Sequence, residues 1–181
     1  KAVVINCVGL AATESTYRDY KKALVGGSTY NNRVAIINSY YLSTVGNKER
    51  GGYPASDDQV RNGALAYVLH NGTYNQFDGL IWGQDVGVDA HPVFSGEIKN
   101  PEAVPYKVTF NTFDGDTAKY FDAYMPGFEK PLPDTVVMEK GEFLGWFTDA
   151  DFSGSAVKVI PSTATGDQKF WAKINKVSDV K

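Results

Sequence analysis

Phe143-Leu144-Gly145-Trp146-Phe147-Thr148-Asp149, then Asp151-Phe152-Ser153-Gly154, and finally Lys169-Phe170-Trp171-Ala172-Lys173-Ile174, form the stretch whose reading decides the fold. In the last segment Phe170, Ala172 and Ile174 alternate with Lys169, Trp171 and Lys173. A period of two puts successive side chains on opposite faces of a sheet, so the segment reads as a half-buried strand. Upstream, Tyr106, Val108 and Phe110 alternate with Lys107, Thr109 and Asn111 in the same way.

These words, with Val108-Thr109-Phe110-Asn111-Thr112 before them and Ala164-Thr165-Gly166-Asp167-Gln168 leading into the last strand, resemble in order the Listeria-Bacteroides repeat, an internalin-type B repeat. Such repeats occur in tandem on large bacterial surface proteins. The resemblance implies a small β-grasp-like domain over residues 106–181, with strands beginning near Val108, Val136, Phe143 and Lys169. It marks Gly145, Trp146, Phe152, Gly154 and Trp171 as framework positions, with Trp146 the core anchor. An aromatic of that size buries roughly 150–250 Å², very roughly 4–6 kcal/mol gross at about 25 cal/mol per Å². Three departures stand out: Phe113-Asp114-Gly115 replaces two glycines, Gly141-Glu142-Phe143 is shortened, and Ile174 replaces a closing Trp. They point to a terminal copy of the repeat.

Working outward toward the start, Lys99-Asn100-Pro101-Glu102-Ala103-Val104-Pro105 carries two prolines and no periodicity, which predicts a stiff linker over 99–105. Residues 1–98 then form a domain of their own. Within it Ala2-Val3-Val4-Ile5-Asn6-Cys7 lies over Val34-Ala35-Ile36-Ile37-Asn38-Ser39 at an offset of 32 residues, and Leu10 lies over Leu42. Periods of this length, with a short β-branched run in each copy, mark stacked rungs that cannot bury an apolar face alone. Asn6 is then expected over Asn38, either as a hydrogen-bonded ladder or as two turn residues. Ala23-Leu24-Val25-Gly26-Gly27 and Arg33 to Leu42 also resemble the GLUG-type repeats of parallel β-helices on bacterial adhesins. The fold class expected from these patterns and resemblances is mainly β: the C-terminal end of a parallel β-helix with a short helical cap, followed by the β-grasp-like repeat.

The cap is read from Ser56-Asp57-Asp58-Gln59, a capping box in which the Ser side chain and the Gln side chain satisfy each other's backbone amides. Val60, Ala64, Leu65, Val68 and Leu69 follow at helical spacing, and Asn71-Gly72 tolerates a left-handed exit, which predicts one helix over about 57–70. Tyr53-Pro54-Ala55 and the run Trp82 to Phe94 belong to the same expectation. Trp82 and Phe94 would fold across the open end of the stack and shield its strand edges.

The chain has 181 residues, of which 43% are hydrophobic and 13% aromatic, enough for a sizeable core. With charged residues at 22% and a formal net charge of -3, no basic footprint for nucleic acid is present. Cys7 is the single cysteine, so the chain forms no internal disulfide. No apolar run reaches the roughly 18–20 residues that cross a bilayer. Lys1 enters Val3-Val4-Ile5 directly, and the chain reads as a segment of a longer exported protein.

His70 and His91 are the two histidines, and both read as packing or surface residues. Asp114-Gly115-Asp116 and Asp149-Ala150-Asp151 have the hard oxygens that calcium takes, but aspartates capping their own turns account for them. No catalytic, cofactor-binding or metal-ligating residue is expected, and no cofactor. Among the tyrosines, Tyr120 and Tyr124 are the candidate ligand contacts, because they lie in a weakly periodic connection. The expectation is a non-catalytic structural and adhesion module, extracellular on a bacterial cell surface. Its partners would be host proteins or glycans and neighbouring repeats of the same chain. The alternative is a carbohydrate- or host-protein-binding module with a defined site.

Overall fold

The computed structural model describes residues 2–10, 34–44, 52–72, 81–111, 119–134 and 142–175, and the chain divides into two compact units, Lys1–Val104 and Pro105–Lys181. It is mainly β, with two short helices among the described residues.

In the first unit the 32-residue offset becomes a register. Strand β1 (Ala2–Ile5) lies parallel to β3 (Val34–Ile37), with Ala2 opposite Val34 and Ile5 opposite Ile37. Strand β2 (Val8–Gly9) repeats the relation with β4 (Tyr40–Leu42), Val8 facing Tyr40. A further strand, β5 (Tyr53–Ala55), pairs parallel with β4, so Tyr53-Pro54-Ala55 extends the stack and is not part of the cap. Proline has no N–H to give to a ladder and is confined to strand edges, and β5 is the edge of its sheet.

The helical region differs from the single helix expected. It comprises α1 (Asp57–Arg61), with the Ser56–Gln59 capping box formed in both directions, and α2 (Ala64–His70). Gly63 separates them at φ +90, and a Cβ there would lie 3.2 Å from Val86 Cγ2 and 3.3 Å from Pro101 Cβ. Helical spacing carries straight through this break because Val60, Ala64, Leu65 and Leu69 all remain on the buried side. Asn71 ends α2 at φ -92, so the left-handed exit is not used. Its side-chain amide instead donates to Tyr67 O at 2.8 Å.

Beyond the helices, β6 (Gln84–Asp85) pairs parallel with β7 (Ile98–Lys99), which places Lys99 in a strand and not in the linker. Gln84 is fully buried between them and the α1 turn. Its amide nitrogen donates to Val60 O at 2.9 Å and to Arg61 O and Asp89 O at 3.3 Å, stitching α1 to the β6–β7 segment.

The second unit is built on a four-stranded mixed sheet. Its strands are β8 (Tyr106–Asn111), β9 (Lys119–Tyr124), β11 (Glu142–Phe147) and β13 (Gln168–Asn175), in the order β11-β13-β8-β9. The first and last strands of the unit, β8 and β13, run parallel side by side, and each carries an antiparallel outer neighbour. Strands β10 (Lys130–Pro131) and β12 (Val159–Ile160) form an antiparallel pair, from which Ile160, and Leu132 just after β10, enter the core. That core also takes Tyr124, Trp146 and the alternate positions Val108, Phe110, Phe170 and Ala172 read from the sequence. The expected strand near Val136 lies outside the described residues, as do Ala23-Leu24-Val25-Gly26-Gly27, Phe113-Asp114-Gly115 and Asp116.

A bulge in β11 explains how Phe143 and Trp146, an odd number of residues apart, reach the same core. The register slips between Phe143 and Gly145, leaving Leu144 extra and 45% exposed. Phe143 and Trp146 then meet edge-on at 5.3 Å between ring centroids. Gly145 carries the bulge at φ +132, and a Cβ there would sit 2.7 Å from Ala156 Cβ. The expected result for Gly145→Ala is a loss of about 1–3 kcal/mol from this unit alone, read by denaturant titration. An unchanged midpoint would show that the bulge relaxes freely.

Candidate functional site

Each repeated strand of the first unit ends on isoleucine and then an asparagine in the left-handed region, Asn6 at φ 50 and Asn38 at φ 42. Only glycine, asparagine and aspartate enter that region at little cost, which is why asparagine stands where each strand must turn. The shared left-handed conformation on paired strands brings the two side chains into line, and Asn38 Nδ2 donates to Asn6 Oδ1 at 2.7 Å. The ladder and the turn, separate readings of the sequence, are one arrangement.

The α2 turn lies beside this ladder. Asn38 Nδ2 also donates to Val68 O at 3.3 Å, and Asn6 Nδ2 donates to Gly72 O at 2.9 Å. Four residues of helix rise about 6 Å, close to the spacing of about 4.8 Å between paired strands, so carbonyls one turn apart serve successive rungs. Trp82 is buried here, with Nε1 donating to Asn6 O at 2.9 Å, its own carbonyl 2.7 Å from His70 Nδ1, and its ring 4.4 Å from Phe94. The segment expected to close the last rung therefore packs against the first repeated strand, and Phe94 stays 75% exposed.

The next positions continue the pattern. Ser39, fully buried, accepts from Cys7 N at 3.1 Å and donates to Ile37 O at 2.8 Å. Tyr40 donates its hydroxyl to Asn38 Oδ1 at 3.0 Å, while burial, reinforced by Tyr53, raises its pKa and keeps it a donor. The whole constellation consists of amides, hydroxyls, one indole and one imidazole, bonded to backbone groups and to one another. It is suited to holding strands in register.

In the second unit the face of the sheet opposite the core carries Phe147, Trp171 and Lys173. Trp171 faces Phe147 on one side and Asn111 on the other, and Phe147 meets Phe152 edge-on at 5.6 Å. Lys173 Nζ lies 5.2 Å from the Phe147 ring and 5.8 Å from that of Phe152, a distance at which an ammonium is attracted to a ring face. Phe152 is delivered by a turn in which it adopts φ 56 and Asp149 accepts from Ser153 N, Ser153 Oγ and Asp151 N at 2.9–3.0 Å. Gly154 follows at φ +80. The acidic pair Asp149 and Asp151 is thus turn chemistry.

The Ser153 amide and hydroxyl, above all, hold the Asp149 carboxyl below its ordinary pKa. A carboxyl depressed by folding contributes stability above its unfolded pKa, and that contribution disappears as pH falls through the lower folded value. Followed by NMR, Asp149 is expected to titrate below the usual carboxylate range, with the Ser153 amide shift moving at the same midpoint. An ordinary midpoint would contradict the turn.

Of the two tyrosines expected as ligand contacts, Tyr124 is 1% exposed, packs 5.7 Å from Tyr106 and donates its hydroxyl to Gly166 O at 2.7 Å. It is a core residue. Tyr120 lies in the same strand, opposite Phe110, so the weakly periodic connection is a regular edge strand. Trp146 is buried as expected, its Nε1 donating to Pro133 O at 2.9 Å. His91 is exposed, with Nδ1 2.9 Å from Pro92 O. The structure adds Gly72, Ser39 and Gln84, whose roles depend on contacts distant in sequence.

Scanned against family models, curated proteins and solved structures, the chain matches none. Its chemistry is therefore read from its own residues. Among the described residues no three His, Cys, Asp or Glu side chains gather as a metal would require, and no helix is long and apolar enough to cross a membrane.

Proposed function

We propose that this chain is a non-catalytic structural and adhesion module of a large bacterial cell-surface protein. In this reading the first unit is the end of a parallel β-helix flanked by its helical segment, and the second is a β-grasp-like B repeat. The observation that carries it is the parallel pairing of Ala2–Ile5 with Val34–Ile37 at an offset of 32 residues, with the asparagines that follow each run bonded to one another. Stacked rungs and tandem sheet units resist extension along a stalk, and their exposed faces present contacts to ligands outside the cell. The order of the Gly145-Trp146, Phe152-Ser153-Gly154 and Phe170-Trp171 words supports the repeat assignment of the second unit.

A second reading, a glycan- or host-protein-binding module, is favoured by Trp171, which lies half-buried between Lys169 and Lys173 on the sheet face away from the core. Aromatic rings flanked by polar groups bind sugars and proteins by stacking. The experiment is a glycan array and a host-protein panel probed with this chain and with Trp171→Ala, alongside single-molecule extension. Mechanical resistance without a ligand supports the stalk, and a ligand lost on Trp171→Ala supports the binding module. Catalytic turnover of any glycan or protein on the panel would overturn both.

A further inference from the structure

We propose that the second unit is a load-bearing clamp, in which the parallel ladder between β8 and β13 takes in shear a pull applied through the two ends of the chain. The proposal rests on the stalk reading above and assigns the load to particular bonds.

The path of the chain sets the direction of the load. Strands β8 and β13 are the first and last of this unit and lie side by side, Val108 opposite Gln168 and Asn111 opposite Trp171. A pull enters at the start of β8 and leaves at the end of β13. Because the two strands point the same way, the forces on them are opposed along the strand direction. The evenly spaced bonds of a parallel ladder are then strained together rather than one after another. Sliding also needs a two-residue step of about 7 Å before apolar side chains regain their own face of the sheet. Phe110 and Phe170, opposite each other across the ladder with ring centroids 6.0 Å apart, obstruct that step, and Trp146 backs them at 4.6 Å from Phe110.

Two side chains lengthen the ladder at its ends. Asp167, the residue before β13, accepts from Lys107 N at 2.9 Å, and at the other end Asn111 Nδ2 donates to Phe170 O at 3.2 Å. Each bond joins the β8 segment to the β13 segment, so each shares the load in shear. The first unit is built otherwise. Its first and last described strands, β1 and β7, lie in separate sheets, and β7 is held to β6 by two residue pairs, Gln84 with Ile98 and Asp85 with Lys99. The same pull parts those pairs in turn.

The test stretches the intact chain between its two ends in a single-molecule instrument. The comparison form carries Cys7→Ser and Glu129→Cys and is held at the chain start and at the introduced thiol. Glu129 is exposed and follows Tyr124, which lies opposite Tyr106, so this second geometry peels β8 from β9 pair by pair. End-to-end pulling is expected to require at least about twice the force of the peeling geometry to open the second unit, since several bonds must fail at once. In the end-to-end trace the first unit should open before the second. Asp167→Ala should lower the end-to-end force by at least about a fifth while leaving the melting temperature near that of the parent, because the lost bond is exposed and one of several loaded together. Equal forces in the two geometries, a parent-like force in Asp167→Ala, or opening of the second unit first would each overturn the clamp. Such a failure removes the clamp alone, because the stalk reading requires only that the chain hold tension without a ligand, whichever bonds carry it.

Discussion

Trp146→Ala is expected to abolish the cooperative melting of the second unit while the first unit keeps its own transition. The Trp146 ring is 3% exposed and packs 4.6 Å from Phe110 and 5.3 Å from Phe143, at the centre of the cluster that includes Phe170, Leu132 and Ile160. Its truncation leaves a cavity and deprives Pro133 O of the indole donor, a combined cost of about 3–5 kcal/mol. A unit of this size without a disulfide has little more stability than that to lose. Calorimetry should show one transition where the parent shows two, and methyl resonances of Val4 and Leu65 should keep their folded shifts. A variant retaining both transitions would mean that the core is not organised around this ring.

Gly72→Ala is expected to destabilise the first unit by about 2–4 kcal/mol, although a glycine-to-alanine change beside a helix end often stabilises. The reason is proximity. A Cβ at Gly72 would lie 1.8 Å from Asn38 Nδ2 and 2.7 Å from Asn6 Oδ1, inside the ladder itself. Either α2 withdraws, leaving Asn6 Nδ2 and Asn38 Nδ2 without their helix carbonyls, or the asparagines leave their left-handed turns. Chemical denaturation of the variant should lower the midpoint of the first unit only, and the Asn6 and Asn38 side-chain amides should lose exchange protection together. Parent-like stability would show that the helix and the strands are not coupled through this contact.

Much of the architecture was legible because it depends on local periodicity or on exact recurrence. Alternation in Tyr106–Asn111 and Gln168–Asn175 identified their buried faces, since a strand offers only two. The recurrence of a β-branched run and asparagine at 32 residues anticipated the parallel register and the position of the ladder. The capping box located the start of α1.

The unread parts depend on contacts between distant residues. The helix breaks at Gly63, where φ is +90 and Val86 and Pro101 leave little room for a side chain, and hydrophobic spacing carries no trace of that. Tyr53-Pro54-Ala55 is a strand despite its proline because it occupies an edge. Weak periodicity around Tyr124 predicts a surface residue, yet its hydroxyl has a carbonyl partner in Gly166 that lets the ring be buried. The helical segment runs beside the asparagine pair, with Val68 O accepting from Asn38 and Gly72 O from Asn6, and these distant hydrogen bonds, together with that of Trp82 to Asn6 O, leave no mark in local periodicity. Proline and glycine counts could not have distinguished these cases.

The parallel register is the claim on which the stacked reading depends, and nuclear Overhauser contacts in the intact chain test it most directly. The account predicts cross-strand backbone contacts linking Val3 to Ala35 and Ile5 to Ile37, together with a contact between the Asn6 and Asn38 side-chain amides. Contacts at any other offset, or in the antiparallel sense, would contradict it.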